Sequence, residues 1–475
     1  MPQWQRVRLA CLGVGYMGRT ALGALESLRD LLGPRCEIEL HVAEPKKDVR
    51  EETLKRFPDA RIQPDSQGTL DDLVRLTADD RVPVIIYDAT PPELRAGNFQ
   101  ILATARANQY PITVLLEKPI AITQNQLTRI KQYSLSDDFF CDFIEIGNDA
   151  FRALHDHLKQ AELAIDWIAC WRANSSGIRR SFGDGRDGVK GGALLDKAAH
   201  DVALVACLLE SESVSLKTAE VHHVVPRSPS SWYTVDGVVE SDNEPEVWAK
   251  DDLLRPADGT ASVTSLWKSK KREVPVSFVW GWHGTTGIPP ETDIAQMLAD
   301  LKHSRRYILN HTVDLVKEQE KYQTITNSGL FPSEPKIFSD DDVRLLIIGS
   351  GKHTIVCNLL GKEPVPGVSI SRYVIDYHDG HESVLFETSP TSDLARINRR
   401  DLAHVFDLAL RSQTDSTCAT DICRQRSEFV HQFIFDAQKL AFREIEAKRK
   451  RFDVIHEESI RVLESKLRLD PTKID

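Results

Sequence analysis

The sequence is poor in the features that announce several large protein classes. No apolar run in its 475 residues approaches the roughly 18 needed for a membrane span, so a helical membrane protein is not expected. Cysteine is sparse. Cys11, Cys36, Cys141, Cys170, Cys207, Cys357, Cys418 and Cys423 form no C-x-x-C pair, and several lie in apolar stretches. Such thiols suit a reducing compartment rather than a disulfide framework, and the predicted location is the cytoplasm. Positive charge is not in surplus either: Lys+Arg total 60 against 71 Asp+Glu, a net charge of -11. An acidic chain repels phosphate backbones and anionic lipid, so neither nucleic acid nor membrane is an expected partner. There is no internal repeat and no low-complexity segment. Nor do the histidines suggest a metal site. His155 and His157 diverge on a helix and His222 and His223 point to opposite faces of a strand, so no metal is expected. What remains, 41% hydrophobic and 28% charged, is the balance of a globular protein of about two or three domains.

The first 120 or so residues alternate strand and helix signals. Val7–Val14, Glu37–Ala43, Val82–Asp88 and Ile112–Leu116 read as buried strands, while Thr20–Leu32, the charged stretch through Phe57, Leu70–Leu76 and Glu93–Ala107 read as helices. Apolar strands alternating with helices demand crossovers, hence a parallel sheet covered on both faces. The N-terminus has two arginines before an apolar stretch, but glycines break that stretch and no small-residue cleavage site follows, so a buried strand is expected instead of a signal peptide.

Further on, helices are predicted at Gln124–Tyr133, Asp149–Leu163 and Gly192–Leu209, with strands at Phe139–Ile144 and Ile165–Ala173. Strand-like runs then dominate from Val214 to Glu387. The predicted fold is α/β: an N-terminal Rossmann doubly wound parallel sheet, then an α+β domain on a large, mainly antiparallel open sheet. The boundaries predicted are 1–122 for the dinucleotide-binding domain and 123–425 for the substrate and oligomerisation domain, with insertions near 226–256 and 289–341. Residues 426–475 are predicted as C-terminal helices, the first packing back on the body.

Gly13-Val14-Gly15-Tyr16-Met17-Gly18 is a G-x-G-x-x-G between the first strand and the first helix. In that context the first glycine permits the tight turn, the second admits the pyrophosphate and the third lets helix approach strand. Glu44 ends the second strand, somewhat beyond the usual offset of about 20 residues. A carboxylate there accepts from both ribose hydroxyls and favours NAD, though Lys46 and Lys47 leave NADP open. Thr90 and Pro91, after the most apolar strand, are expected to face the dinucleotide.

With Glu117-Lys118-Pro119 after the strand at Ile112–Leu116, and Gly191-Gly192-Ala193-Leu194-Leu195-Asp196-Lys197-Ala198-Ala199-His200-Asp201, the chain resembles the Gfo/Idh/MocA family of nicotinamide-dependent oxidoreductases. That family includes glucose–fructose oxidoreductase and inositol dehydrogenases, and the likeness runs over about residues 6–440. The resemblance implies a catalytic group of Lys118, Asp196 and His200. His200 would be general base in oxidation and acid in reduction, Lys118 would polarise the reacting oxygen, and Glu117 would lie beside the nicotinamide or ribose. Chemistry supports the set: Asp196 and His200 are i,i+4 on one helix face with Lys197, where a carboxylate can orient an imidazole. Two departures from the family pattern concern the substrate: Ala203 stands where an Asp is common, and Arg95 near where a His often follows T-P.

Candidate substrate groups are Glu145 and Asn148, Arg172, and Arg179 and Arg180 in the loop before the catalytic helix, an arginine cluster able to meet a carboxylate or phosphate. The expected activity is hydride transfer between NAD(P) and a secondary alcohol or ketone of a sugar, cyclitol or related small molecule. Two alternatives stay open: a non-catalytic NAD(P)-binding sensor of the same fold, and a reductase of a non-sugar ketone or imine in specialised metabolism. By resemblance, the expected assembly is a homodimer or homotetramer.

Overall fold

The computed structural model describes residues 4–91, 94–95, 98, 108–121, 123–132, 139–141, 143–174, 193–211, 213–228, 231–234, 237–240, 257–269, 272–282, 343–359, 372–379, 381–388, 394–411, 413 and 429–441. The chain divides into two compact units. The first comprises Met1–Arg152, Val202–Glu212 and Asp393–Phe435; the second comprises Ala153–Asp201, Ser213–Ser392 and Asp436–Asp475.

In the first unit, β1 (Arg6–Leu12), β2 (Glu37–Ala43), β3 (Arg61–Gln63), β4 (Val84–Asp88), β5 (Ile112–Leu116) and β6 (Phe139–Cys141) form a six-stranded sheet in the order β3-β2-β1-β4-β5-β6. Every neighbouring pair is parallel. β4 and β5 are buried along their whole length, which is why both read as continuous apolar runs instead of alternating ones. The crossovers are α1 (Tyr16–Leu32), α2 (Lys47–Arg56) and α3 (Ser66–Asp80), and α4 (Gln124–Gln132) lies between β5 and β6. Arg8 ties the base of the sheet together, donating to Glu39 at 2.7 Å and to Asp80 at 2.8 and 2.5 Å. The same guanidinium holds the Asp80 carboxyl down at about 2.

The unit runs past the boundary expected at residue 122. Phe139–Cys141 pairs with β5 in this first sheet, and a 3₁₀ turn (Ile144–Gly147) begins at the residue where the predicted strand ends. α5 (Asp149–Gln160), α6 (Ala193–Leu209) and α7 (Leu394–Arg411) follow in chain order. The apolar stripe of α1 (Ala21, Leu22, Leu25 and Leu28) shares one buried cluster with Leu402, Phe406 and Leu410 of α7. Each leucine so buried contributes about 1.5–3 kcal/mol. Two histidines of this unit are held neutral. His41 on β2 is pushed down to about 4 by burial, and His404 on α7 likewise, by burial and by Arg152, whose Nη1 lies 2.9 Å from His404 Nδ1.

The second unit is built on a ten-stranded sheet. Its strands are β7 (Trp167–Asn174), β8 (Val214–Ser228), β9 (Ser231–Thr234), β10 (Gly237–Glu240), β11 (Ala257–Ser269), β12 (Arg272–Trp282), β13 (Val343–Ser350), β14 (His353–Asn358), β15 (Tyr373–His378) and β16 (His381–Glu387). The order is β10-β9-β8-β11-β12-β7-β13-β14-β15-β16, and the β7–β12 pair is parallel within an otherwise antiparallel sheet. One face of the central strands buries Ala169, Trp171, Val279, Leu345, Ile347, Val356 and Ile375 together. The segment expected as an insertion near 226–256 is in part sheet: β9 (SWYT) and β10 (GVVE) continue the ladder beyond β8, each only four residues long and so too short to stand out from the polar stretch around them. The region 289–341, the loop 175–192 and the tail 442–475 lie outside the described residues. Among the described residues no helix is long and apolar enough to cross a membrane.

Candidate active site

Ligands of open parallel sheets bind outside the carboxyl ends of the strands where the order reverses, here between β1 and β4. The glycine loop starts there. Gly13 has φ of +86°, a conformation costly for any residue with a Cβ, and its N–H donates to the Ala43 carbonyl at 2.8 Å. A Cβ on Gly18 would overlap the Gly13 carbonyl oxygen, so α1 can approach the loop only because residue 18 has none. Gly15 is different. Nothing lies within 4 Å of where its Cβ would be, and it begins α1 without a side-chain cap. The space beside Gly15 is thus open, and no side chain of residue 15 caps the first-turn N–H groups of α1, which fits a diphosphate.

Glu44 closes this loop from the end of β2. Its Oε2 accepts the Val14 N–H at 2.8 Å and its Oε1 the Lys46 N–H at 3.0 Å. Each oxygen retains lone-pair capacity for a ribose hydroxyl. Arg50 fastens the same corner, donating through Nη1 to the Glu44 and Pro45 carbonyls at 2.9 and 2.7 Å. Cys11, below the loop, is inert, since burial pushes its thiol up to about 12.

The ends of β4 and β5 are joined by a polar network that sequence reasoning missed. Asp88 accepts from the Thr90 N–H at 3.0 Å, from the Thr90 hydroxyl, and from Asn98 Nδ2 at 2.9 Å. Arg95 donates from Nε to the Thr90 carbonyl at 2.9 Å and from Nη1 to the carbonyls of Glu117 and, at 2.8 Å, Pro119. The Lys118–Pro119 peptide is cis. Tyr87 Oη donates to Glu117 Oε2 at 2.9 Å, and the Tyr87 ring meets Phe406 edge-on, centroids 5.8 Å apart. From the helix spanning 429–441, buried His431 Nε2 accepts the Ile120 N–H at 3.0 Å. A carboxylate closing a run as apolar as VIIYD was the one available signal.

In the second unit α6 carries the expected catalytic helix motif. His200 and Lys197 are both buried; Asp196 lies one turn before His200, and its side chain is outside the described residues. The next residue, Asp201, is the anchor that motif reading passed over. Its Oδ1 accepts from Arg172 Nη2 at 2.6 Å and Nε at 3.0 Å, while Oδ2 accepts from Arg172 Nε at 3.1 Å and Trp280 Nε1 at 2.8 Å. Arg172 and Trp280 are register neighbours on β7 and β12, so both side chains leave the same sheet face. Arg172, Asp201 and Trp280 are 2%, 4% and 0% exposed.

No protein-family model matches the chain, and no curated protein matches it in sequence. Solved structures do match. A 3-ketoreductase from Actinomadura kijaniata, in complex with NADP and TDP-benzene, aligns with a TM-score of 0.50 at 14% identity, over 90% of this chain and 96% of that one. An oxidoreductase from Sinorhizobium meliloti aligns with a TM-score of 0.55 at 11% identity, over 92% and 98% of the two chains. The fold is one that oxidoreductases use.

Within that fold the expected cofactor residues fall as follows. Gly13, Gly15, Gly18 and Glu44 come together around one loop, with Met17 half-buried in the first turn of α1 and Tyr16 opening that helix. Thr90 is buried on Asp88, Pro91 is exposed, and Glu117 and Lys118 are half-buried at the end of β5. Lys118 belongs to the first unit, Asp196 and His200 to the second. The substrate candidates fare differently. Asn148 caps α5, its Oδ1 accepting the Ala150 and Phe151 N–H groups at 2.9 and 3.3 Å, and Glu145 is buried in the 3₁₀ turn. Arg172, a candidate substrate group, is paired with Asp201. Arg179 and Arg180 lie outside the described residues.

Proposed function

We propose that the chain is an NAD(P)-dependent oxidoreductase of the Gfo/Idh/MocA type. It would move a hydride between nicotinamide and a secondary alcohol or ketone of a sugar, cyclitol or related small molecule. The observation that supports this most is the bare cradle at Gly15, bordered by Glu44 and lying at the reversal of strand order. In this reading the 13–18 loop and the first turn of α1 hold the diphosphate, Glu44 the ribose, and Thr90, Pro91 and Glu117 the nicotinamide end. The 3-ketoreductase of matching fold carries NADP, and Lys46, Lys47 and Arg50 adjoin Glu44, so both dinucleotides belong to the proposal.

The dinucleotide, when bound, supplies the hydride donor or acceptor. The protein supplies one proton and the positioning. His200 takes the hydroxyl proton in oxidation and returns it in reduction; Asp196, one turn earlier on α6, orients the imidazole; Lys118 polarises the oxygen as charge develops. The proposal includes a cytoplasmic homodimer or homotetramer with a polyol or sugar-like substrate.

The test is a panel of inositols, sugars, sugar acids and their keto forms with NAD or NADP, followed at the nicotinamide absorbance band. His200→Ala and Lys118→Met should each lower kcat by about 10²–10⁴-fold on the substrate found. No turnover on any member, or unchanged kinetics in His200→Ala, defeats the proposal.

A further inference from the structure

We propose that Arg95 is the positioning residue for Lys118. The inference rests on the proposed role of Lys118 and adds to it a group that fixes where that lysine points. Arg95 is 2% exposed and makes no ion pair with a described carboxylate. A guanidinium stays charged when buried, and isolated burial of a charge is expensive. Here the negative ends of carbonyl dipoles stand in for a counter-ion: Thr90 on Nε, and Glu117 and Pro119 on Nη1.

Two of those carbonyls belong to the residues on either side of Lys118. One nitrogen thus grips the chain before and after the lysine, leaving the Lys118 backbone little freedom to turn its Cα–Cβ bond. Neighbouring N–H groups are held as well. The Glu117 N–H donates to the Asp88 carbonyl at 3.0 Å, and the Ile120 N–H to His431 at 3.0 Å. The bond to Thr90 joins the loop expected at the dinucleotide to the segment that carries the lysine. A neutral side chain of similar size could fill the space, but a planar fork can bind carbonyls from two loops at once. Lysine at 95 would keep the charge and lose the fork.

The experiment uses the full chain with Arg95→Lys, Arg95→Gln and Lys118→Met, alone and combined. Hydrogen-exchange mass spectrometry should show exchange over residues 117–121 rising by about tenfold or more in R95K, with β1 and β2 unchanged. On the substrate returned by the panel, kcat of R95K should fall by about 10–100-fold while KM for the dinucleotide stays within about twofold. In the K118M background the same change should cost less than about twofold, because Arg95 acts through Lys118.

Unchanged exchange in R95K overturns the proposal. So does a loss in the K118M background equal to that in the parent, and so does failure of both Arg95 variants to fold, which would assign the residue to stability. If the unaltered chain turns over nothing, the reading of the function fails, and the exchange measurement still decides whether Arg95 holds the segment.

Discussion

Asp201→Asn should destabilise the second unit by about 3–5 kcal/mol, the usual cost of breaking a buried ion pair by removing one partner. The substitution preserves volume, so no cavity contributes. What changes is polarity at one oxygen. If the amide nitrogen takes the Oδ1 site it faces Arg172 Nη2 at 2.6 Å; at the Oδ2 site it faces Trp280 Nε1 at 2.8 Å. Either flip sets donor against donor and removes the negative charge that Asp201 places against the guanidinium, in a place where Arg172 is 2% exposed. With about 2–4 °C per kcal/mol for a domain of 150–250 residues, the thermal midpoint should drop by about 6–20 °C. The control is the double substitution Arg172→Met with Asp201→Leu. Apolar replacement of both partners is often neutral or better, so the double variant should be more stable than D201N. It should fall short of the parent by about 1–3 kcal/mol, the cost of the Trp280 Nε1–H once Asp201 no longer accepts from it. Urea unfolding followed by circular dichroism and tryptophan fluorescence measures all three. A D201N variant within about 0.5 kcal/mol of the parent, or a double variant no more stable than the single, would refute the reasoning.

Two further predictions concern the first unit. Gly15→Val should leave the thermal midpoint nearly unchanged, because a Cβ there meets open space, yet weaken NADH and NADPH binding by at least about tenfold in a fluorescence titration; Gly18→Ala should lower stability itself. If G15V binds as the parent does, the diphosphate lies elsewhere. His41 and His404, both depressed from 6.5 to about 4 by burial first, favour the native state in their neutral form. That stability is complete above about pH 6.5 and is lost as pH falls through about 4, by up to about 3 kcal/mol for each group. His41→Leu should flatten the decline in urea midpoint across this window, and an unaltered decline would count against it.

The sequence carried most of the fold because the first sheet is buried on both faces. Runs such as VIIYD and ITVLL can hardly be anything else, and the β2 and β5 limits emerge as read. β3 is three residues long, too short to display alternation, and exists through its pairing with β2. Phe139–Cys141 was visible as a strand, but nothing local says which sheet it joins. The glycine loop and Glu44 were legible because their chemistry is local. The pairing of Arg172 with Asp201 is not legible in the sequence, since only the packing of α6 on β7 and β12 brings the two together. Arg95 was noticed only as a departure from a pattern; its role depends on three carbonyls from two separate loops.

The split make-up of the first unit has a consequence for biosynthesis. About 240 residues separate Arg152 from Asp393, and a ribosome adding about 5–20 residues per second needs about 10–50 s to make them. Until then the stripe of Ala21, Leu22, Leu25 and Leu28 lacks Leu402, Phe406 and Leu410. The nascent sheet thus waits with a greasy helix that only its own strands cover, a natural client for chaperones. A chain stopped short of α7 would aggregate even with every residue of its nucleotide loop intact.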